Sequence, residues 1–498
     1  MTAKDTIEQV GWRRPGRGPM NERLRPMDMA LLAGESASAP MHNATLEIFE
    51  SAADGFDYEK LVGLIADRIA FVPRYRQRIR TVPGRLANPV WVDDDDFDLT
   101  FHVRRSALPR PGSMAQLRDL VARIMSRPLD RNRPLWEVYL VEGLGDDGDR
   151  RFALLSKAHQ ILVDGISTVD LGQVILDVDP VPRETLHDDW RPRREPGQPA
   201  LVAEAVRESL RHPGLAVTTL RGNAESLARV GEAVGRRALA VAGALSNRRS
   251  SPESPINTEL SEQRRFVTVS TRLEDYRRVR NVHGGTVNDV ILATITGAMR
   301  AWLMTRAESV SGSRSLKAMV PMSVIDSELE PTSLGSQVAG HLLNLPIGEA
   351  SPVVRLHQVS YALKAHKDTG RAVAADRLAG VAGFAPTTFH ALGGRVAAAQ
   401  SRRGFNLVIT NVPGPQFPLY AAGAMMLESY PVQPLLPGHA LAVGVTSYDG
   451  GVYFGVNADR DALPDVHVLG QCLEDALTEL VDSASENRPR APRGRKPR

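Results

Sequence analysis

Phe152-Ala153-Leu154-Leu155-Ser156-Lys157-Ala158-His159-Gln160-Ile161-Leu162-Val163-Asp164-Gly165 is the stretch from which the rest of the chain can be read. Its first five residues are a short apolar run that reads as a buried strand. The strand delivers the chain into a histidine and then into Asp164-Gly165, a turn pair whose glycine permits close backbone approach. A stiff element ending in a turn can hold an imidazole in place, and a neighbouring group can fix its tautomer. A general base needs both. Taken alone, a structural histidine beside a turn is the plainer account of these residues.

Working outward, the same alternation of strands and helices recurs. Upstream, Val138 to Val141 reads as another buried strand, preceded by Pro134-Leu135-Trp136 and by a helix over about Ala115 to Met125. Asp57 is a plausible N-cap for a helix carrying Leu61, Ile65 and Ile69 at four-residue spacing. Between them, Asp93-Asp94-Asp95-Asp96 invites a metal reading. Adjacent acids on an extended chain point to opposite sides, so a solvated loop is expected instead. Downstream, Val169, Val174 and Ile175 suggest a helix.

Composition then changes. Residues 188–199 are rich in Pro and Arg and poor in apolar side chains, which marks a linker extending to 263. Within it, Leu227, Val230, Val234, Ala238, Val241 and Leu245 keep a helical stripe, small and Ala-rich. A packed helix suits that stripe better than one lying on a membrane. The second half opens with a strand at Phe266 to Thr271 and a helix over Asn288 to Trp302, followed by buried strands at Leu316 to Val320 and Leu407 to Thr410. Leu441 to Ser447 and Val452 to Val456, joined by Tyr448-Asp449-Gly450-Gly451, read as a hairpin, with a closing helix over Leu469 to Leu480. The expected organisation is a disordered leader at 1–21 (with Met20 an alternative start), a first domain at 22–187, the linker, a second domain at 264–485 and a basic tail at 486–498.

The bulk numbers exclude several classes. The chain has 498 residues, 42% of them hydrophobic, too long for one ordinary core. Its net charge of +3 rests on six cations between Arg488 and Arg498; without them the remainder is −3. No basic face for nucleic acid is therefore implied. Cys472 is the single cysteine, so an internal disulfide or thiolate metal cluster is excluded. No run of roughly 18 apolar residues would span a bilayer. A cytoplasmic protein is expected, with any lipid contact made from the surface, on the inner membrane face or on lipid bodies. His42, His102 and His341 lack metal-ligand spacing and read as structural.

Further pieces accompany the opening stretch. They are Leu24-Arg25-Pro26-Met27-Asp28, Pro40-Met41-His42, Phe97-Asp98 through Leu108-Pro109, Asn288-Asp289 after Gly284-Gly285, Asn411-Val412-Pro413-Gly414-Pro415, and Asp459-Arg460-Asp461 before Pro464-Asp465. Each has an ordinary account: Asn288-Asp289 as a helix cap, Asn411 to Pro415 as a rigid turn, Trp136 as core. In this order they resemble the bacterial wax ester synthase/diacylglycerol acyltransferase family, over roughly residues 22 to 485. The resemblance implies an α/β (α+β) fold of two chloramphenicol-acetyltransferase-like domains, each a mixed sheet with flanking helices, and a tunnel at their junction. Acyl-CoA would enter from one side and the acceptor alcohol from the other. The substrate carries the coenzyme A, and no cofactor or metal is implied.

The family motif has two adjacent histidines, three variable residues and Asp-Gly. The second histidine is taken as the base, and the aspartate as structural. His159 matches the first, but Gln160 stands where the second belongs. Glutamine can hold a hydroxyl but cannot accept its proton. The resemblance implies His159, Gln160, Asp164 and Gly165 as the catalytic set, with Trp136, Asn288 and Asp289 contacting substrate. Two functions follow: an O-acyltransferase making triacylglycerol, with wax esters as a variant product, or an acyl-CoA- or lipid-binding protein on the same scaffold. Transfer to an already acidic hydroxyl is a third.

Overall fold

The computed structural model describes residues 22–51, 55–145, 150–162, 171–182, 190–211, 254–310, 312–323, 338–366 and 404–486. Asp164, Gly165 and the 227–245 stripe lie outside the described residues.

The first half runs α1 (Pro26–Gly34), β1 (His42–Glu50), α2 (Tyr58–Arg68), β2 (Gln77–Arg80), β3 (Val90–Asp93), α3 (Leu99–His102), β4 (Val103–Ala107), α4 (Met114–Met125), β5 (Trp136–Leu144), β6 (Arg151–His159), α5 (Leu171–Ile175) and α6 (Gln198–Arg211). Local chemistry sets the boundaries. Asp57 caps α2 by accepting from the Lys60 amide at 2.9 Å, and Leu61, Leu64 and Ile65 form its buried stripe. Ser113 and Gln116 close a capping box on α4.

The second half runs β7 (Arg264–Arg272), α7 (Leu273–His283), α8 (Val287–Thr305), β8 (Leu316–Ser323), β9 (Val338–Leu345), α9 (Pro352–His366), β10 (Leu407–Pro413), β11 (Tyr420–Ala421), β12 (Ala424–Val432), β13 (Leu441–Tyr448), β14 (Gly451–Asp459) and α10 (Val466–Glu486). The expected hairpin is β13–β14. Tyr448 faces Gly451 across a two-residue turn in which Asp449 (φ 40°) and Gly450 (φ 82°) are both left-handed. Right-twisted strands favour that turn.

These elements make two mixed sheets flanked by helices. Sheet two is ordered β7-β14-β13-β10-β8-β9, with β10 parallel to both its neighbours. Sheet one is ordered β11-β12-β1-β6-β5-β4, antiparallel except between β4 and β5. Two of its strands thus come from the second half of the chain. Strand β12 pairs with β1, Thr45 standing opposite Pro431, while its other face rests on sheet two. The core of the first half also takes in Phe266, Tyr448 and Tyr453 from the second.

One loop expectation needs correction. Asp95 and Asp96 are exposed, but Asp93 and Asp94 are only 6% and 4% exposed. The stretch after Trp190 folds back over β2 and β3. There Arg193 donates to Asp93 through its amide at 3.0 Å and its guanidinium at 3.1 Å, and Glu195 lies 2.6 Å from Arg78. Gln77 also donates to Asp93. Buried carboxylates persist only with such partners. Helix α6 continues this cover, with Leu201 and Ala205 packed among Val82, Val90 and Val92.

Candidate active site

Strand β6 lies inside sheet one between β1 and β5, so its side chains divide cleanly between two faces. Cross-strand register assigns them. Asn43 and Trp136 stand opposite Ala158, and Thr45 and Val138 opposite Ser156. These six residues line one cavity, with Tyr75, Leu171 and Gly172 closing it. At about 20 Å3 it has room for one water and none for an acyl chain. Trp136 is 1% exposed, its indole donates to the Tyr75 carbonyl at 2.7 Å, and His102 stacks on it at 4.6 Å. The structure thus gives Trp136 a core position. The His102 ring bonds the Trp136 carbonyl at 2.8 Å, and burial pushes its pKa down to about 4.

The opposite face carries the ionisable groups. His42 faces His159, while Ala44 and Glu137 flank Lys157. Helix α4 covers them with the carbonyls of its C-terminal end. His42 Nε2 bonds the Met125 carbonyl at 2.9 Å; Lys157 donates to those of Ile124 at 3.0 Å and Arg127 at 2.6 Å. The Ile124 carbonyl also accepts from the Arg127 amide at 3.2 Å, and the negative end of the helix dipole favours a cation. Burial nevertheless lowers Lys157 to about 8, and burial, then the neighbouring Lys157, hold His42 well below its ordinary range.

His159 ends β6 on this same face, 1% exposed. Its Nδ1 accepts from the Ile161 amide at 3.2 Å, and its Nε2 lies 3.6 Å from a Glu35 carboxylate oxygen. Glu35 is the C-cap of α1 and is itself bound by Arg131. Burial alone would raise the Glu35 carboxyl, but its contacts with His159 and Arg131 outweigh that and bring it down to about 2. Gln160 opens a short 3-10 turn, fully buried, with its amide donating to the Met41 carbonyl at 3.0 Å.

Asn288 and Asp289 sit in the first turn of α8. Asp289 closes a capping box with Thr286 and accepts from the Ser360 hydroxyl at 2.8 Å. Asn288 accepts from Asn411 at 2.7 Å, which joins two motifs far apart in sequence. The described contacts thus form two clusters, Glu35–His159–Arg131 in the first half and Asn288–Asn411 in the second. Glu35 and Arg131 escape a reading of sequence, because neither belongs to a spaced pattern. The only signal for Glu35 is its position between the Leu24 to Asp28 and Pro40 to His42 pieces.

A cavity of about 280 Å3 lies where the halves meet, between α4, β7 and α10, lined in part by Arg118, Arg265, Thr268 and His467. Among the described residues no His, Cys, Asp and Glu group is arranged to hold a metal, and no helix is long and apolar enough to cross a membrane.

Comparison with known proteins agrees with this architecture. The profile of the wax ester synthase/diacylglycerol acyltransferase catalytic domain matches residues 24–291, and that of the family's C-terminal domain matches 334–481. A probable diacylglycerol O-acyltransferase of Mycobacterium tuberculosis, tgs1, is 34% identical over 92% of this chain and 95% of its own length. A second from that organism, tgs3, is 41% identical over 52% of this chain and 96% of its own. Among solved structures, a wax ester synthase/diacylglycerol acyltransferase from Marinobacter aquaeolei VT8 superposes with a TM-score of 0.64 at 28% identity, covering 93% of this chain and 100% of that one. The first condensation domain of the calcium-dependent antibiotic synthetase shares the fold alone, with a TM-score of 0.53 at 16% identity, covering 94% and 97%. With both domain profiles matched in order and a full-length relative at this identity, the chain belongs to the wax ester synthase/diacylglycerol acyltransferase family.

Proposed function

We propose that the protein is an acyl-CoA-dependent O-acyltransferase that esterifies diacylglycerol to triacylglycerol, with long-chain alcohols as a second acceptor class giving wax esters. Full-length likeness to tgs1, a probable diacylglycerol O-acyltransferase, carries this reading. In the reaction the acceptor oxygen attacks the thioester carbonyl; a C–O bond forms, the C–S bond breaks, and the hydroxyl proton ends on the departing CoA sulfur. Gln160 can hold the hydroxyl through its amide but cannot relay the proton. His159 has both ring nitrogens turned to protein groups, so it acts in positioning, as does Asp164. At the halves' junction, Arg118 and Arg265 supply positive charge for the phosphates of CoA, in a cavity that Asp119 and Glu474 also line. Diacylglycerol would reach the site from a membrane face or lipid body touched peripherally.

The test is purified full chain with labelled acyl-CoA and diacylglycerol. Triacylglycerol should form above an Asp164→Ala control; equal product in both would sink the reading. If the missing base limits the rate, Gln160→His should raise kcat by roughly 10²–10⁴. A second reading, binding without turnover, is favoured by the same Gln160 and by the enclosed His159. It predicts saturable acyl-CoA binding and no ester from the natural chain.

A further inference from the structure

We infer that Glu35 is a positioning residue for the motif, holding the His159 imidazole in one orientation and one tautomer and thereby setting the turn that presents Gln160. The inference rests on the acyltransferase reading only for its kinetic test.

The contacts around Glu35 form a closed frame, of which the approach to His159 is longer than a hydrogen bond. One carboxylate oxygen faces His159 Nε2 at 3.6 Å and also meets the Arg131 guanidinium; the other accepts from the Met41 amide at 3.2 Å. The Met41 carbonyl in turn accepts from the Gln160 amide at 3.0 Å. One side chain therefore faces the imidazole of residue 159 and, through Met41, is linked to the backbone of residue 160. On its far side the imidazole accepts from Ile161 at 3.2 Å. A ring nitrogen that accepts carries no proton, which leaves the proton on Nε2, facing Glu35. That tautomer suits both partners at once. The other would set Nδ1–H against the Ile161 N–H and leave Nε2 facing a carboxylate without a proton between them.

Stability is a weak explanation for such a group. A buried polar contact gains little over an apolar replacement, because desolvation offsets most of its attraction. Here the carboxylate is 9% exposed and the imidazole 2%. Contacts with His159 and Arg131 keep the acid ionised, so the acceptor facing Nε2 persists across the physiological pH range. A displacement of about 1 Å in a positioning frame can cost on the order of a hundredfold in rate.

The experiment uses the full chain with 15N-labelled histidine, the His159 signals being assigned by their loss in His159→Gln. Wild type should show a protonated Nε2 and an unprotonated Nδ1 for His159. Glu35→Ala should lose that preference, whereas Glu35→Gln, which retains an acceptor oxygen, should keep it. With acyl-CoA and diacylglycerol, Glu35→Ala should lower kcat by about ten- to a hundredfold and leave the KM for acyl-CoA within about twofold. Glu35→Gln should recover most of the loss. A wild-type ring protonated on Nδ1 would overturn the inference, as would an unchanged tautomer in folded Glu35→Ala. If Glu35→Ala does not fold, the wild-type tautomer decides. If no variant or wild type makes ester, the transferase reading fails while the tautomer still settles the role of Glu35.

Discussion

Lys157 keeps its ammonium fully inside the helix-covered face of sheet one, where it donates to the Ile124 and Arg127 carbonyls at the end of α4. Its pKa of about 8, against an ordinary 10.5, makes that placement pH-dependent. Between those values the unfolded chain binds more protons than the folded one, so stability rises with pH across this window. Below about pH 8 the cost of burying the charge is present in full, up to about 3 kcal/mol. Urea midpoints at pH 7.5 and pH 10 check this: wild type should gain on a Lys157→Met variant as pH rises, and parallel midpoints would refute it. At this scale the sequence shows where chemistry concentrates but not who holds it. His159 and Gln160 are found through a linear pattern. Glu35, Arg131 and the helix-end carbonyls around Lys157 are brought in by the fold from positions with no local signature, and the Asn288–Asn411 bond unites two pieces that the sequence presents as unrelated.

Helix α8 carries an almost wholly buried stretch from Asp289 to Met299, and its start is specified twice. The Thr286 hydroxyl accepts from the Asp289 amide at 3.2 Å, and the Asp289 carboxylate accepts from the Thr286 amide at 3.0 Å. Thr286→Ala should cost about 1 kcal/mol. Asp289→Ala should cost more, since the Ser360 hydroxyl also loses its acceptor. The two losses should be less than additive, because each variant breaks part of the same reciprocal pair. Thermal unfolding of both single variants and the double variant measures this; strict additivity would show the bonds act independently. Elements of this kind are the most legible from sequence. Caps, stripes and turn residues are local, and they placed α2, α4, α8 and the β13–β14 hairpin to within a few residues. The acidic run failed for the converse reason. Asp93 and Asp94 are covered by Arg193 and Arg78, and nothing in the sequence around them announces either partner.

For the molecule as a whole, β12 is the element that makes two sheets into one body, and its sequence hides the fact. Ala424 to Val432 contains Glu428, Ser429 and Pro431, a poor match to a buried strand. Pro431 is tolerated because, among the described residues, β11 pairs with β12 only at Ala424 and Met425 and no strand pairs with its outer edge further along. The same residue meets sheet two at a gap made by Gly444 and Gly455, which face each other across β13 and β14. A Cβ on Gly455 would fall 1.9 Å from the Pro431 carbonyl oxygen, and one on Gly444 2.9 Å from its ring. The backbone at these positions cannot yield without moving β12, and β12 cannot move without disturbing its pairing to β1, the neighbour of the motif strand. Gly455→Ala should therefore destabilise the protein by at least the 1–3 kcal/mol typical of overpacking, although the site lies in the second half of the chain. Because the strain falls on the joint between sheets, exchange protection should drop along β1 and β6 as well as along β14. Native-state hydrogen exchange distinguishes the cases. Loss confined to β13 and β14 would mean the halves are stable independently, and β12 would then be a strap laid across two finished domains instead of a strand both require.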